Sequence, residues 1–355
     1  MRYIGLMCGT SMDGIDAVLV RFEDGLQLEA CHLEPLPPTL CEQLHGLCQS
    51  GGDHLEAVMA ASLAFANASA DAVKALLAKT GLAPDQIRAI GSHGQTIRHR
   101  PELGYSVQIG DAATLAARTG IDVVSNFRMK DLALGGQGAP LVPAFHQAVL
   151  PGARAVLNIG GIANLTWLGE PVLGFDTGPG NTLMDAWCRR HLDRPFDEGG
   201  QFAASGRVLP ELLQRLLAEP YFQRPWPKST GRELFHLDWL QSQLDGSEAP
   251  RDVQATLLAL TVESIALHLE RLAARGQVLV CGGGARNPVL MTALAQRLPA
   301  LAWDSTDSQG VPGDWLEAMA FAWLAKRFMD GLPGNLPAVT GAGRAAVLGQ
   351  LTPAG

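Results

Sequence analysis

The chain opens with two apolar segments separated by small and polar residues. MRYIGLMCGTSMDGIDAVLV has the apolar and β-branched residues of two short strands, and the glycines between them permit a tight turn. We therefore expect an antiparallel hairpin at the start of the chain. Its tip is either a solvated surface turn or a nest of backbone N–H groups and hydroxyls that binds an anion. The turn by itself does not distinguish these two interpretations.

Helical and strand-like patterns alternate through the rest of the chain. Apolar residues at helical spacing predict helices over residues 55–77, 183–191, 252–274 and 313–328. Asp111 is a suitable N-cap for a further helix, ATLAART, which Gly120 would close. Such alternation is typical of the α/β class. Short apolar runs predict strands at residues 86–91, 121–124, 155–161, 164–168, 172–175 and 277–281.

Two segments interrupt this alternation. SHGQTIRHRP, after the strand at 86–91, is predicted to be a loop. NFRMKDLALGGQGAPLVPAFH holds two prolines and three glycines and predicts no regular element. We place a domain boundary just before or within it. The expected lobes are residues 1–125, completed by residues 340–355, and residues 126–339.

Composition limits the classes of protein to which this chain can belong. With 355 residues, 47% of them apolar and 17% charged, the chain can bury a large core. A net charge of −8 argues against a nucleic-acid partner. The six cysteines form no CxxC pair, which favours a reducing compartment over disulfides or a cysteine zinc site. Without a signal-peptide pattern or a long apolar segment, we expect a cytoplasmic protein without a membrane partner.

Four glycine-rich loops follow four apolar strands: CGTSMDG, NIGGIAN, DTGPGN and CGGGARN. Glycine allows backbone N–H groups to approach phosphates, so the set predicts a nucleotide-binding cleft. A Rossmann dinucleotide site is disfavoured, because the first loop returns as a strand instead of opening a helix. The Walker pattern GxxxxGK[ST] is absent from the sequence.

Seven ordered motifs run through almost the whole chain: GLMCGTSMDGIDAVLV, GSHGQTIRH, FRMKDLALGGQGAPLVPAFH, LNIGGIANLT, GFDTGPGNTLMDAW, PKSTGRE and VCGGGARNPVLM. This set resembles the anhydro-N-acetylmuramic acid kinases of the actin and hexokinase superfamily. The resemblance implies a two-lobed, ribonuclease H-like α/β fold with mixed sheets flanked by helices and a cleft between the lobes. It also implies MgATP-dependent hydrolytic opening of 1,6-anhydro-N-acetylmuramic acid with phosphorylation of O6, giving N-acetylmuramic acid 6-phosphate and ADP in peptidoglycan recycling. A homodimer is expected on the same ground.

The resemblance assigns the nucleotide to the glycine loops. The first hairpin would wrap the ATP phosphates, and CGGGARN would approach the adenosine. Many members of the superfamily have an Asp that helps to hold magnesium where this chain has Met7, so the Mg²⁺ ligands are left unassigned. The predicted nucleotide-binding residues are Gly9, Thr10, Ser11, Met12, Asp13, Gly14, Ile15, Asp16, Gly160, Gly161, Asn164, Gly178, Gly180, Asn181, Gly282, Gly283, Gly284 and Asn287.

Two carboxylates are the predicted catalytic residues. Asp176 matches the general base of the family, although an Asp before TGPGN is also a common turn former. One carboxylate suffices for opening the ring if the γ-phosphoryl group captures the departing O6 in place of a proton donor. Glu317, on an otherwise apolar helix, would order water or the metal near the phosphates. The simpler interpretation of Glu317 is a solvated helix face.

The sugar is assigned to two loops that contain His93, Gln95, Thr96 and Arg128, and to Gly178. Arg128 is the candidate for the lactyl carboxylate, because a guanidinium group can bind it with two parallel hydrogen bonds. A lone arginine is more often a surface residue and a lone histidine is more often structural.

Three alternative functions remain open from the sequence. The first is a sugar or acyl kinase of the same superfamily, which needs no hydrolytic aspartate. An actin-like or chaperone-like ATPase is more remote, since no extra domain is evident. A dinucleotide oxidoreductase is disfavoured by the loop topology.

Overall fold

The computed structural model describes residues 1–9, 12–23, 25–49, 54–231 and 233–355. Its strands and helices alternate along the chain, which confirms the predicted α/β class. The strands are β1 (Arg2–Met7), β2 (Gly14–Arg21), β3 (Gln27–Pro35), β4 (Ile87–Ser92), β5 (Gln95–Arg100), β6 (Tyr105–Ile109), β7 (Val123–Ser125), β8 (Ala155–Ile159), β9 (Ile162–Trp167), β10 (Leu173–Pro179), β11 (Gly276–Cys281), β12 (Leu301–Ser305) and β13 (Gln350–Thr352). The α-helices are α1 (Pro38–Cys48), α2 (Leu55–Thr80), α3 (Ala112–Thr119), α4 (Met129–Ala133), α5 (Val142–Val149), α6 (Thr182–Leu192), α7 (Gln201–Ala204), α8 (Pro210–Leu217), α9 (Leu237–Gln241), α10 (Pro250–Arg271), α11 (Pro288–Arg297), α12 (Leu316–Met329) and α13 (Pro337–Thr340).

The chain divides into two compact units. The first unit comprises Met1–Val149 and Asp314–Gly355, and the second unit comprises Leu150–Gly313. These boundaries differ from the expected lobe boundaries at residues 125/126 and 339/340. The first unit includes two segments expected in the other lobe, residues 126–149 and residues 314–339, the second of which contains α12.

The first unit is built on a six-stranded mixed sheet in the order β13-β7-β4-β1-β2-β3. The expected hairpin is present, because β1 pairs with β2 in antiparallel register, with Met7 opposite Asp16. β4 lies parallel to β1 on its other side. The C-terminal strand β13 closes the sheet by pairing with β7.

Helix α12 packs on this sheet at unusually short range. A Cβ atom at Gly5 would lie 1.9 Å from the carbonyl oxygen of Ala318, and one at Gly91 would lie 2.0 Å from that of Phe321. Only glycine permits such a backbone approach of helix and strands. This contact explains why α12 belongs to the first unit although the whole second unit precedes it in the sequence.

The second unit has a five-stranded sheet in the order β10-β9-β8-β11-β12. Strand β9 runs antiparallel to both of its neighbours, β8 and β10, whereas β11 lies parallel to β8 and β12. The long helix α10 is buried along most of its length and packs against β10 and four helices. The fold thereby places the loops after β8, β10 and β11 within one unit.

Two segments differ from their sequence predictions. QTIRHR forms strand β5, paired with β6, because Gln95 and Ile97 are buried on one face while Arg98 is partly exposed on the other. The segment predicted to be irregular contains α4 and α5. Pro143 is compatible with α5 because it lies in the first turn, where a backbone N–H has no helical partner.

Two smaller predictions are confirmed. The Asp111 carboxylate caps α3 by accepting a hydrogen bond of 2.6 Å from the backbone N–H of Thr114. Gly120 ends that helix with a φ of 68°. Among the helices of the described ranges, none has the length and apolar character required to cross a membrane.

Candidate active site

Asp176 lies in β10, where three hydrogen bonds fix it. Its backbone N–H donates to the carbonyl of Lys228 at 3.0 Å, and its carbonyl accepts from the Tyr221 hydroxyl at 2.8 Å. Its Oδ2 atom accepts a hydrogen bond of 3.0 Å from the backbone N–H of Thr230. The other carboxylate oxygen, Oδ1, accepts no hydrogen bond from the residues that the structure describes. The carboxylate is therefore oriented by one oxygen, and the other can bind a ligand or water.

Burial raises the pKa of Asp176 to about 6. The Thr230 N–H and the Lys228 ammonium oppose this shift, whereas the neighbouring Glu233 carboxylate adds to it. At neutral pH the group is therefore mostly ionised and is a stronger base than an exposed aspartate. A carboxylate with these properties can take a proton from water.

A buried lysine holds the segment that contacts Asp176. Lys228 is only 9% exposed, and its Nζ atom donates to the carbonyls of Tyr221 at 3.0 Å and Phe222 at 3.4 Å. The same atom lies 4.4 Å from the centroid of the Tyr221 ring. Burial lowers the pKa of Lys228 to about 8, and the Arg271 and Arg224 cations act in the same direction. Lys228 thus connects the PKSTGRE segment to the turn that carries Tyr221.

Two asparagines extend the site across the sheet. Asn164 is the cross-strand partner of Asp176, and Asn158 is the partner of Asn164. Partners in antiparallel strands point their side chains to the same face, so the three polar groups form a row. The sequence analysis named Asn164 and Asp176 but missed Asn158. Its signal was a polar residue between Leu157 and Ile159 in a buried strand.

The loops NIGGIAN and DTGPGN bind each other through their backbones. The N–H groups of Gly180 and Asn181 donate to the carbonyls of Gly161 and Gly160, at 2.9 and 2.8 Å, and the Thr182 N–H donates to Gly161 at 3.0 Å. These three N–H groups are therefore occupied within the protein. The predicted phosphate contacts of Gly180 and Asn181 would have to use other atoms.

The glycines of these loops fall into two groups. At Gly178, Gly180, Gly282 and Gly284 an added Cβ would lie 2.3–2.7 Å from a neighbouring protein atom, so packing alone requires glycine there. At Gly160, Gly161 and Gly283 the nearest neighbour would be 3.6–3.8 Å away. The second group has room for a side chain, and hence for a ligand.

Several predicted nucleotide residues line a common pocket in the second unit, with a volume of about 270 Å³. Asn287 is also the N-cap of α11, since its Oδ1 accepts from the N–H groups of Val289 and Leu290 at 3.1 Å. The sequence analysis missed Phe196, a 55% exposed aromatic side chain in the same pocket. The lining residues are Asn181, Met184, Asp185, Phe196, Asp197, Gly199, Gly283, Arg286 and Asn287.

In the first unit, the tip of the β1–β2 hairpin offers backbone and carboxylate groups to a ligand. Thr10 and Ser11 lie outside the described residues. Met12, with a φ of 56°, and Ile15 bury their side chains in the core, so a ligand at the tip would meet only their backbone. Gly9 accepts a hydrogen bond of 3.2 Å from the Met12 N–H.

Asp16 and Glu317 are electrostatically coupled. Burial raises the pKa of Asp16 to about 6, and the carboxylates of Glu317, Asp13 and Asp314 raise it further. Glu317 is in the first turn of α12. Its side chain is exposed, as the interpretation of a solvated helix face expects. The protein around the carboxyl raises its pKa by desolvation, while the nearby Arg128 cation lowers it.

The Asp16 and Glu317 carboxylates are oxygen ligands of the kind that Mg²⁺ takes. Within the described ranges no group of three or more His, Cys, Asp or Glu side chains is arranged to hold a metal. Mg²⁺ in kinase sites is commonly bound by one or two carboxylates together with substrate phosphates and water. Two mutually repelling carboxylates fit such an ion, because a cation would relieve their repulsion.

Of the predicted sugar residues, Arg128 and His93 are hydrogen-bonded to each other. The Nη1 atom of Arg128 donates to the carbonyl of Gly138 at 2.8 Å, and its Nη2 and Nε lie 2.9 and 3.3 Å from Nε2 of His93. His93 is 6% exposed and lines a pocket of about 420 Å³. None of the described residues that line the pocket is a lysine, arginine, aspartate or glutamate: Ser92, His93, Gly94, Tyr105, Ser106, Val107, Gln108, Gly110, Ser125, Asn126 and Met129. Of these, the sequence analysis had named only His93.

Gln95 and Thr96 do not line this pocket. Gln95 is buried beside β6, where its side-chain nitrogen donates to the Thr96 carbonyl at 3.2 Å. Thr96 accepts a hydrogen bond of 3.1 Å from the Gln108 side chain. Thr96 thus supports a pocket residue, and direct contact of Gln95 or Thr96 with a sugar stays a prediction.

Comparison with known proteins gives consistent matches. The chain is 53% identical to the anhydro-N-acetylmuramic acid kinase of Shewanella amazonensis, over 99% of this chain and 98% of that protein. It is also 53% identical to the protein of the same name from Shewanella oneidensis, over 98% and 97% of the two chains. Among solved structures, component A of (R)-2-hydroxyglutaryl-CoA dehydratase from Acidaminococcus fermentans matches with a TM-score of 0.48 and 14% identity, over 91% of this chain and 96% of that chain.

The family model described as anhydro-N-acetylmuramic acid kinase matches residues 1–354, which is nearly the whole chain. The extent of this match and the identity to the Shewanella proteins agree with the motifs that surround Asp176, Arg128 and the glycine loops. The chain belongs to the anhydro-N-acetylmuramic acid kinase family.

Proposed function

We propose that this protein uses ATP and water to convert 1,6-anhydro-N-acetylmuramic acid into N-acetylmuramic acid 6-phosphate and ADP, in the recycling of peptidoglycan. Membership of the family supports the substrate and the reaction. The single structural observation that supports it most is the Asp176 carboxylate, which is held through Oδ2 and has Oδ1 available.

Asp176 is proposed as the general base for the water that adds to C1. The water loses a proton to the carboxylate as its oxygen forms the bond to C1. The C1–O6 bond breaks, and the electron pair on O6 forms the new bond to the γ-phosphorus atom. The bond between that phosphorus and the bridging oxygen then breaks, and ADP leaves with the electron pair of that bond.

This coupling explains why one carboxylate is enough. A glycosidase needs an acid to protonate the departing oxygen, but here phosphorus accepts that oxygen. The raised pKa of Asp176 makes it a better proton acceptor, while the Thr230 N–H keeps it ionised at neutral pH. The tasks left to the protein are orientation and neutralisation of phosphate charge.

Asp16 and Glu317 are proposed to hold Mg²⁺, which when bound neutralises charge on the ATP phosphates. The pocket that includes Asn181, Gly283 and Asn287 is proposed for the adenosine part of ATP. Gly160 and Gly161 have room for the phosphates. The uncharged pocket beside His93 is proposed for the sugar, with Arg128 at its edge.

The test is turnover in ¹⁸O-labelled water, followed by mass spectrometry. Wild-type protein with MgATP and 1,6-anhydro-N-acetylmuramic acid should give phosphorylated sugar with ¹⁸O at C1. Asp176→Asn should lower kcat at least about a hundredfold, as expected for loss of a general base. Asp252→Asn is the matched control, because Asp252 is also a buried carboxylate of the second unit but its carboxylate pairs with Arg207 and Arg251.

Two outcomes would contradict the proposal. A phosphorylated product that keeps its anhydro ring would indicate an ordinary sugar kinase. Absence of turnover in wild-type protein whose ATP binding is intact would exclude this sugar as the substrate. In either case this protein would next be tested with the sugar and acyl substrates of other kinases of the superfamily.

A further inference from the structure

We infer that a buried hydrogen-bond chain, Asp131–Gly138–Arg128–His93, fixes His93 as a neutral Nδ1–H donor that binds the carbonyl oxygen of the sugar's acetamido group. The inference rests on the proposed function for the identity of the ligand. The hydrogen-bond chain itself is a property of the first unit alone.

The tautomer of His93 follows from its neighbour. A guanidinium group has only N–H donors, so the His93 Nε2 atom, 2.9 Å from Nη2 of Arg128, must accept. The neutral ring then carries its proton on Nδ1. Burial, reinforced by the Arg128 cation, lowers the pKa of His93 well below its usual range, whereas the Gly94 backbone opposes the shift. The ring therefore stays uncharged at neutral pH.

The Nδ1–H group is available to a ligand. Nδ1 is buried, and although the Gly94 backbone lies near the ring, Nδ1 forms no hydrogen bond of acceptable length and angle with any residue that the structure describes. The His93 side chain lines the pocket, and its ring lies 4.7 Å from the ring of Phe321, which limits rotation. A buried donor without a partner is costly unless a bound group satisfies it.

Asp131 holds Arg128 in place through Gly138. The Asp131 carboxylate is 0% exposed, and its Oδ2 accepts from the Gly138 N–H at 2.8 Å. Its Oδ1 accepts from Asn335 at 2.6 Å and from the Thr340 hydroxyl at 2.7 Å. Gly138, with a φ of 68°, presents its carbonyl to Arg128 at 2.8 Å. Asp131 is thus a positioning residue, which acts through Gly138.

The pocket chemistry favours an uncharged amide. Its lining has hydroxyl and amide groups but no charge, which disfavours the lactyl carboxylate there. The Asn126 and Gln108 amides offer further hydrogen bonds, while Met129 and Val107 are suited to the acetamido methyl group. Three of the five N–H groups of Arg128 are already used, which leaves two for the carboxylate outside this pocket.

The first experiment measures binding to the full-length protein by calorimetry. The probes are 1,6-anhydro-N-acetylmuramic acid and an analogue with a hydroxyl in place of the acetamido group. His93→Leu should weaken binding of the acetylated sugar about tenfold or more and change binding of the analogue less than about threefold. His93→Asn, whose amide nitrogen is as far from the backbone as Nδ1, should restore much of the loss. Equal weakening of both sugars would overturn the assignment to the acetamido group.

The second experiment tests the positioning role of Asp131. Asp131→Asn should raise KM for the sugar about tenfold and leave KM for ATP within about twofold, because one carboxylate acceptor becomes a donor. Thr340→Val removes the hydroxyl that donates to Asp131 and leaves the carboxylate in place, so it is the variant to use if Asp131→Asn fails to fold. Asp122→Asn is the matched control, since Asp122 also binds the C-terminal segment, through the Ala354 N–H at 3.1 Å, without contacting Gly138 or Arg128.

A nitrogen-15 NMR experiment separates this inference from the proposed function. In ligand-free wild type the His93 signal, assigned by its loss in His93→Leu, should show one neutral Nδ1–H tautomer between pH 6 and 8. In Asp131→Asn or Thr340→Val a mixture of tautomers is expected. A wild-type Nε2–H tautomer, or unchanged sugar binding in folded Asp131→Asn, would overturn the inference. If wild type bound no sugar while the tautomer was as expected, the proposed function and the acetamido ligand would fail, and the hydrogen-bond chain that fixes His93 would stand.

Discussion

The backbone N–H of Thr230 lies 3.0 Å from Oδ2 of Asp176 and donates a hydrogen bond to it, although the two residues are 54 positions apart. This contact stabilises the ionised carboxylate against the effect of its burial. It also brings Thr230, a residue of the PKSTGRE motif, into contact with the candidate base. The pH dependence of the reaction should therefore reveal the pKa of Asp176, which the Thr230 N–H lowers.

We expect kcat/KM of the wild type to fall about tenfold per pH unit below a pH of about 6, because Asp176 must be ionised to accept a proton. Thr230→Pro removes the N–H donor, so the pKa of Asp176 should rise and the acidic limb should move to higher pH. Thr230→Ala keeps the N–H and is the control. A pH–rate profile of the three proteins decides this, and identical acidic limbs would contradict the assignment of the base.

Asp176→Asn should make the protein more stable at neutral pH while removing activity. The pKa of Asp176 is about 6 in the folded state, above its ordinary value of 3.8, so the ionised carboxyl destabilises the fold above pH 6. The variant should gain up to about 3 kcal/mol at pH 7.5, and this gain should vanish as the pH falls towards 4. Urea unfolding at both pH values measures it. A stability gain that persisted at pH 4 would show another cause.

Gly91→Ala should strongly destabilise the first unit. Its Cβ would lie 2.0 Å from the carbonyl oxygen of Phe321, and the backbone of α12 would have to move. The expected loss is about 3 kcal/mol or more, at the upper end of overpacking. Gly46→Ala, within α1 and with no atom within 4 Å, is the matched control and should stabilise by about 0.5 kcal/mol. Thermal unfolding of both variants tests the close contact of helix and sheet.

Gly161→Ala should raise KM for ATP several-fold without loss of stability. The added Cβ has ordinary contact with the protein, 3.8 Å from Thr182, but would occupy space proposed for phosphate. Gly180→Ala should instead unfold more easily, since its Cβ would lie 2.3 Å from the Gly160 carbonyl oxygen. Gly152→Ala, in open space, is the neutral control. An unchanged KM in Gly161→Ala would remove this loop from the nucleotide site.

Most regular elements could be predicted from periodicity alone. The hairpin of β1 and β2, the capped helix α3 and the long helices α2 and α10 all occur where the apolar pattern indicates them. β5 was missed because its alternation is short and ends in Arg98, His99 and Arg100, which read as a loop. α4 and α5 were missed because proline and glycine surround them, although Pro143 is tolerated in a first turn.

The candidate site was predictable in part. Asp176 and the glycine loops follow apolar strands, and a strand end is where ligands of α/β proteins are held. Tyr221 and Phe196 were not predicted, since each meets the site through residues distant in sequence. Asn158 was not predicted either, although a polar residue in a buried strand is a local signal. The glycines were predicted as one class, but the structure separates those required by packing from those with open space.

The sequence by itself determined the α/β class, most of the helices and strands, and the motifs that identify the family, because these depend on local patterns of side chains. The tertiary structure decided that α12 belongs with β1 and β4, that Thr230 and Lys228 support Asp176, and that Asp131 reaches His93 through Gly138 and Arg128. Those relationships depend on distances between residues far apart in the chain. Such distances are set by close packing and by the pairing of buried polar groups, which no local pattern specifies.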